Sequence, residues 1–286
     1  MTDASSLTLL SFNTWRSGRE GGRPLSQTAE VIRQSGTDIV ALQEMDADRA
    51  AELAGILGWH HAQLGGGLCV MTPLEIAGTD GPVVTVRHES GLKLYVGDTH
   101  LAPYPYQPYQ VLGIGKHPQL KTEAASIAAA EATRGEQLDA VLAEIEGIVP
   151  SGAPSFLLGD FNEPSHLDWT AAAAEAGQHP MAISYPASRK MLAAGFRDAY
   201  REMHPDEVAQ PGLTWTPITE PDDPGDHHDR IDFVYFKGEG LRVTSAQLVG
   251  ENARNADIVV SPYPSDHRAV LVRVELPDPG PSREGG

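Results

Sequence analysis

The run Phe156-Leu157-Leu158-Gly159-Asp160-Phe161-Asn162 is an apolar stretch of strand length that stops at a glycine and is followed by two oxygen-bearing side chains. In extended backbone, alternate side chains share a face, so Asp160 and Asn162 are expected to point the same way from the end of a buried strand. Layered α/β sheets bind their ligands at such strand ends. Four more polar clusters sit at the ends of apolar runs: Asn13, Glu44, Asp98-Thr99-His100, and Asp229-Arg230-Ile231-Asp232 together with Ser265-Asp266-His267. A chain built this way folds into sheets whose edges carry chemistry.

Between these clusters, short apolar strands alternate with amphipathic helices. Leu7 to Phe12 and Asp38 to Leu42 read as strands, and Leu25, Ala29 and Ile32 recur at near-helical spacing between them. Asp46 is placed to cap a helix carrying Ala50, Leu53, Ala54 and Leu57 on one face, closed by Gly58. From Leu68 to Gly97 the pattern changes to hairpins separated by Pro and Gly, the last strand leading to His100. An Ala-rich helical stretch from Lys121 to Ile145 contains Gly135 as a break point, since glycine weakens a helix interior. Further helices are expected near Leu167 to Ala176 and Ser188 to Ala194, and strands at Ile231 to Phe236, Leu241 to Leu248 and Ala269 to Val274. Two strand-rich halves with helices outside imply two packed sheets.

A chain of 286 residues without a linker-like break reads as one domain over residues 1–276, followed by a Pro- and Gly-rich polar tail, residues 277–286, expected to be disordered. The 21 Lys and Arg face 39 Asp and Glu, for a net charge of −18. Duplex binding depends on many Lys and Arg contacts to phosphate, so this balance predicts no extended nucleic-acid surface and favours a small phosphorylated substrate. A single cysteine, Cys69, flanked by Leu68 and Val70, reads as a small buried hydrophobe. The N-terminal residues carry neither a basic nor an apolar leader segment, and no apolar run reaches the length of a membrane span. The expectation is a cytoplasmic protein; no feature of the pattern sets an oligomeric state.

Glu44, Asp160, Asp266, Asn13 and Asn162 form an all-oxygen donor set. Such donors suit Mg²⁺ or Mn²⁺ rather than zinc. His100 and His267 each follow a strand or turn, and Asp229 and Asp232 are candidate carboxylates to orient them. Two histidines, two orienting carboxylates and a divalent cation are the parts needed to hydrolyse a phosphate ester.

Six strings in this order, Ser11-Phe12-Asn13-Thr14, Leu42-Gln43-Glu44, Asp98-Thr99-His100-Leu101, Gly159-Asp160-Phe161-Asn162, Arg230-Ile231-Asp232-Phe233-Val234 and Ser265-Asp266-His267, resemble the endonuclease/exonuclease/phosphatase superfamily of metal-dependent phosphoesterases. The resemblance spans about residues 7–275. It implies an α/β four-layer sandwich, two central mixed sheets flanked by helices. It also implies that Glu44 binds the metal with help from Asn13 and Asp266, and that Asp160 and Asn162 position the nucleophile or phosphate. His267 with Asp232 resembles the main His–Asp pair of the family, and His100 with Asp229 the second pair of its deoxyribonuclease and sphingomyelinase branches. Either His267 or Asp160 would take the proton of the attacking water.

The segment Leu101 to Tyr109, with Tyr104 and Tyr106, is stiff and aromatic, and either walls the site or wraps the surface as a polyproline-like strip. Trp15, Arg16 and Arg19 follow Asn13 closely enough for an arginine to hold a second charged group. Trp169 and Trp215 read as core, and His60, His61, His117, His166, His227 and His228 as surface, loop or packing residues. The expected activity is a phosphodiesterase or phosphatase acting on a small molecule. A nuclease on single-stranded or short nucleic acid, and a non-catalytic phosphate-binding protein, are the alternatives.

Overall fold

A computed structural model describes residues 6–277. In chain order its elements are β1 (Ser6–Asn13), α1 (Leu25–Ser35), β2 (Ile39–Gln43), α2 (Ala47–Leu57), β3 (His60–Gly65), β4 (Leu68–Thr72) and β5 (Glu75–Asp80). These are followed by β6 (Val83–Arg87), β7 (Lys93–His100), α3 (Gln107–Leu112), α4 (Glu123–Ala130), α5 (Glu136–Ile148), β8 (Ser155–Asp160), α6 (Ala171–Glu175) and α7 (Pro186–Ala193). The last are β9 (Arg197–Asp198), α8 (Ala199–Met203), β10 (Asp232–Lys237), β11 (Arg242–Gly250), β12 (Ile258–Val259) and β13 (Ala269–Glu275).

The strands form two mixed sheets. One has seven strands in the order β12-β11-β13-β1-β2-β4-β3, the other six in the order β5-β6-β7-β8-β10-β9. The pairs β1 with β2 and β7 with β8 run parallel, while β1 with β13 and β8 with β10 run antiparallel.

Both faces of the central strands are buried, and the period of two divides their side chains between layers. Leu7 and Leu9 of β1, Ile39 and Ala41 of β2, Val96 of β7, Phe156 and Leu158 of β8, and Val234 and Phe236 of β10 meet in the core between the sheets. Leu10 and Phe12 face the other way, onto Ala29 and Ile32 of α1 and Ala50 and Leu53 of α2. Leu157, Phe233 and Tyr235 pack under Leu138 and Ile145 of α5 and Met191 of α7. The result is the expected α/β sandwich of helices, sheet, sheet and helices.

Locally, the structure departs from the sequence pattern at several places. The Ala-rich helix is interrupted by a π-helical stretch, Glu131–Gly135, and Gly135 lies at its end, so the break widens the helix without stopping it. Asp46 precedes α2 but makes no side-chain cap; its carboxylate pairs with Arg19 instead. His60 and His61 open β3, an edge strand that the sequence pattern did not announce. The residues after Tyr106 form α3 and not a continued extended strip. The C-terminal tail, from residue 278 onward, lies outside the described residues. Among the described residues no helix is long and apolar enough to cross a membrane.

Candidate active site

The alternation that builds the inter-sheet core also delivers polar groups to its rim. Counting by twos from the core residues of each strand leads to Asn13 on β1, Gln43 on β2, Asp98 and His100 on β7, Asp160 on β8 and Asp232 on β10, all on the face between the sheets. Glu44 lies one residue too far for this rule, but its φ of +56° breaks the extended backbone and returns its carboxylate to the same edge.

Asn13 and Asp160, from opposite sheets, meet at this rim: Asn13 Nδ2 donates to Asp160 Oδ2 at 3.0 Å and to Glu44 Oε1 at 3.3 Å. Asn13 Oδ1 accepts the Trp15 N–H at 3.0 Å, and the Arg16 N–H donates to Glu44 Oε2 at 2.9 Å. The side chain of Asn13 thus orients two carboxylates, and its oxygen is engaged with backbone. The Trp15, Arg16 and Ser17 backbone is left-handed throughout, with φ between +48° and +60°, which folds this loop back over Glu44.

Asp160 depends on the glycine before it. A Cβ on Gly159 would lie 2.1 Å from the Thr99 carbonyl oxygen, so only glycine lets β8 approach β7 this closely and bring Asp160 beside His100. His100 Nε2 is 3.5 Å from Asp160 Oδ2 and 4.0 Å from Glu44 Oε1. Asn162 does not continue the alternation. Its φ is +48°, its N–H caps Asp160 Oδ1 at 2.8 Å, and its Nδ2 donates to the Leu101 carbonyl at 2.9 Å.

His267, just before β13, has Nδ1 2.9 Å from Asp232 Oδ2. Its Nε2 lies 3.7 Å from Asp160 Oδ2 and 4.0 Å from Asp266 Oδ1. Burial alone would keep the ring neutral, but the charges of Asp232, Asp160 and Asp266 overcome it and push the pKa up to about 10. Burial also raises the carboxyl of Asp232. One proton held between Nδ1 and Oδ2 accounts for both directions. Burial pushes Asp266 up to about 6, and Glu44 adds to that rise against the charge of His267.

The pairing of His100 with Asp229 is not formed. Asp229 is buried behind the site, where Tyr106 Oη donates to its Oδ2 at 2.6 Å and Trp169 Nε1 to its Oδ1 at 2.8 Å. Two aromatic donors from other segments reach this carboxylate first, and spacing along the chain carries no information about them. Tyr106 is accordingly a buried support, whereas Tyr104 is 65% exposed and stands at the mouth.

Glu44, His100, Asp160, Asn162, Asp266 and His267 line a cavity of about 400 Å³, walled by Trp15, Arg16, Tyr104, Tyr106 and Trp215. The segment after His100 is therefore a wall. Arg134, carried inward on the π-helical stretch, holds it by donating to the Pro103 and Pro105 carbonyls at 3.4 and 3.2 Å. Arg16 is at the rim and pairs with Glu20 at 3.1 Å.

Three further residues support the site without having been assigned a role in it from the sequence. Gln43 donates to Asp98 Oδ1 at 2.6 Å, and could have been found by counting alternate positions along β2. Thr214 Oγ1 accepts the N–H groups of Ile231 and Asp232 at 3.0 and 3.2 Å. Trp215, expected in the core, lies against the His267 ring with centroids 4.9 Å apart. No local signal marks either of the last two.

The donor set suits a hard divalent cation. Asp266 Oδ1 is buried without a hydrogen-bond partner among the described residues, and Asp266 shares the cavity with the Glu44 and Asp160 carboxylates. Oxygen ligands of this kind hold Mg²⁺ or Mn²⁺. Asp160, Asp232 and His267 also lie close enough together to share an ion.

The model of the endonuclease/exonuclease/phosphatase family matches residues 10–267. An uncharacterized protein of Caenorhabditis elegans, F14F9.5, is 28% identical over 296 residues, covering 94% of this chain and 91% of that one. Among solved structures, an endonuclease/exonuclease/phosphatase from Beutenbergia cavernae is similar in fold, with a TM-score of 0.62 at 18% identity over 95% of this chain and 72% of its own. D. rerio TDP2 complexed with a single-strand DNA product is also similar, with a TM-score of 0.54 at 17% identity over 95% of this chain and 99% of that one. That complex overturns the inference that a net charge of −18 leaves a small substrate as the partner and excludes a nucleic-acid surface. Net charge averages over the whole surface, whereas binding a phosphate depends on the local field at the site. The motif order, the two sheets and the match over residues 10–267 place the chain in the endonuclease/exonuclease/phosphatase family of metal-dependent phosphoesterases.

Proposed function

We propose that the protein hydrolyses a phosphate ester, diester or monoester, by in-line attack of water, and that the group next to the phosphate is planar. The observation that supports this reading is the convergence of Glu44, Asp160, Asp266, His100 and His267 on the floor of one cavity with Trp15, Tyr104 and Trp215 around it. A divalent cation, Mg²⁺ or Mn²⁺, held by Glu44 and Asp266 would neutralise charge on the phosphate and on the leaving oxygen. Asn13 orients Glu44 and Asp160 for that task.

His267 keeps its proton and turns Nε2 toward the cavity, so it donates a hydrogen bond to a phosphate oxygen as charge develops there. Asp232 fixes the ring through Nδ1. Asp160, its Oδ1 tied down by the Asn162 N–H, turns Oδ2 toward the water and accepts its proton. His100, whose Nε2 also approaches Asp160 Oδ2, steadies the phosphate or the leaving oxygen. Arg16 at the rim meets a second charged group, and Tyr104 stacks on the planar part of the substrate.

A small ester and the end of a nucleic-acid strand both present one phosphate with a ring beside it. The strand end is the second reading, favoured by the fold shared with the D. rerio TDP2–DNA complex. The lone buried Cys69 supports a cytoplasmic placement, where thiols stay reduced.

The test uses metal-stripped protein with and without Mg²⁺ or Mn²⁺ on an aryl phosphate diester, an aryl monoester and a short single-stranded oligonucleotide. Metal-dependent turnover that disappears in Asp160→Ala is expected. The preferred ester separates phosphodiesterase from phosphatase, and a steep fall with salt on the oligonucleotide alone assigns the strand end. Metal binding without turnover on all three would point to a phosphate-binding protein and overturn the proposal.

A further inference from the structure

Asp229 turns its second face away from the phosphoester cavity. There, His179 Nδ1 lies 3.2 Å from His227 Nε2, and His227 Nε2 lies 3.7 Å from Asp229 Oδ1. The three ligand atoms all fall within 4.8 Å of one another. His179 and His227 are half-buried and line a separate cavity of about 740 Å³ with Gln178, Leu213 and His228, and no residue lining that cavity lines the phosphoester cavity.

We propose that His179, His227 and Asp229 form a zinc site, distinct from the phosphoester centre and open on one side to this second cavity. Two imidazole nitrogens bound about 2.0–2.1 Å from a tetrahedral Zn²⁺ stand roughly 3.3 Å apart, close to the separation seen here. Two nitrogens and one carboxylate oxygen suit zinc, where the all-oxygen set of the other cavity suits Mg²⁺. The fourth position faces the cavity and takes water.

The ligands are held in place beforehand. The indole of Trp169 stacks on the His179 ring at 4.2 Å and 14°, and its Nε1 donates to Asp229 Oδ1 at 2.8 Å, leaving that oxygen a second lone pair for the metal. Tyr106 holds the other carboxylate oxygen. Groups that fix a ligand from behind in this way raise metal affinity. On the loop carrying His227, Thr219 Oγ1 donates to Asp226 Oδ2 at 2.6 Å and contacts His228 Nε2 at 2.9 Å. The ion would tie this loop to the segment at His179 and hold Asp229 under Tyr106, a wall of the phosphoester cavity.

The experiment is a Co²⁺ titration of the metal-stripped full chain, followed by visible absorption. Four-coordinate cobalt absorbs far more strongly than the six-coordinate ion expected among oxygen ligands. One equivalent of strongly absorbing Co²⁺, displaced by Zn²⁺, unchanged in Glu44→Gln and lost in His179→Ala and His227→Ala, is the expected result. Trp169→Phe should weaken the affinity roughly 10–100-fold. Circular dichroism melts establish that each variant is folded, and if one histidine variant is not, the other decides. Bands absent from the wild type, retained in a folded histidine variant, or lost in Glu44→Gln would each overturn the proposal; in the first case the two rings share only a hydrogen bond.

Discussion

Asn13 and Asp160 are the last residues of two strands in different sheets, 147 positions apart, and they are joined by one hydrogen bond of 3.0 Å. Asp232 and His267 make a second bond between the two sheet systems at 2.9 Å. The distance between the sheets therefore sets the distances within the site, and the inter-sheet core is what fixes both.

Glu44 tests the metal. Replacing Glu44 with Gln removes one anionic ligand, so half-saturation by Mg²⁺ should move at least ~10-fold higher while saturating metal restores much of the rate. Activity titrated against Mg²⁺ reads this directly. A loss that no concentration of metal repairs would give Glu44 another role.

His267→Ala should lower kcat by at least ~10²-fold with little change in KM, because the hydrogen bond to a charged phosphate oxygen strengthens in the transition state. Steady-state kinetics at saturating Mg²⁺ measure it. Turnover within a few-fold of the wild type would remove His267 from the reaction.

Tyr104 is exposed at the mouth and Tyr106 is buried against Asp229. Tyr104→Ala should raise KM for a bulky aryl ester about 10-fold and leave a minimal methyl ester nearly unchanged, consistent with a stacking contact of ~1–1.5 kcal/mol. Tyr106→Phe should instead lower thermal stability, since it strips Asp229 of a buried donor.

Arg230 lies fully buried and donates to both Asp168, at 2.9 and 3.0 Å, and Asp198, at 2.8 and 3.0 Å. Arg201 also reaches Asp168 at 2.6 Å, but among the described residues Asp198 has no second guanidinium of this kind. Arg230→Met should cost about 3–5 kcal/mol by leaving a buried carboxylate uncompensated. Chemical denaturation gives the value, and a change below ~1 kcal/mol would show that the network relaxes around the loss.

Burial pushes the Glu163 carboxyl up to about 7, although the Arg134 guanidinium 3.8 Å away and the Ala187 N–H pull it down. A carboxyl whose folded pKa is raised binds its proton more tightly in the folded state. Its contribution to stability is complete below the ordinary carboxyl range near 4.5 and is lost as pH rises through about 7. Melting temperatures of wild type and Glu163→Gln should therefore diverge in favour of the variant between pH 5 and pH 8. Parallel curves across that window would mean that Arg134 compensates the charge in full.

The period-two alternation and the polar ends of the apolar runs, both local properties of the chain, determined the two-sheet architecture and singled out Asn13, Glu44, His100, Asp160, Asp232, Asp266 and His267 as candidates, which the fold then brings to one rim. The His267–Asp232 pair was also legible, through the resemblance of its motifs. Tertiary structure alone decided which partners the remaining carboxylates took. Asp229 went to Tyr106 and Trp169 and not to His100, because burial brings donors from distant segments to a charge that cannot stay unpaired. It also decided where left-handed backbone at Trp15, Glu44 and Asn162 overrides alternation, and that His179 and His227, 48 residues apart, face one another. Side-chain periodicity is written in neighbouring residues; a contact between loops depends on how the whole chain closes around its core.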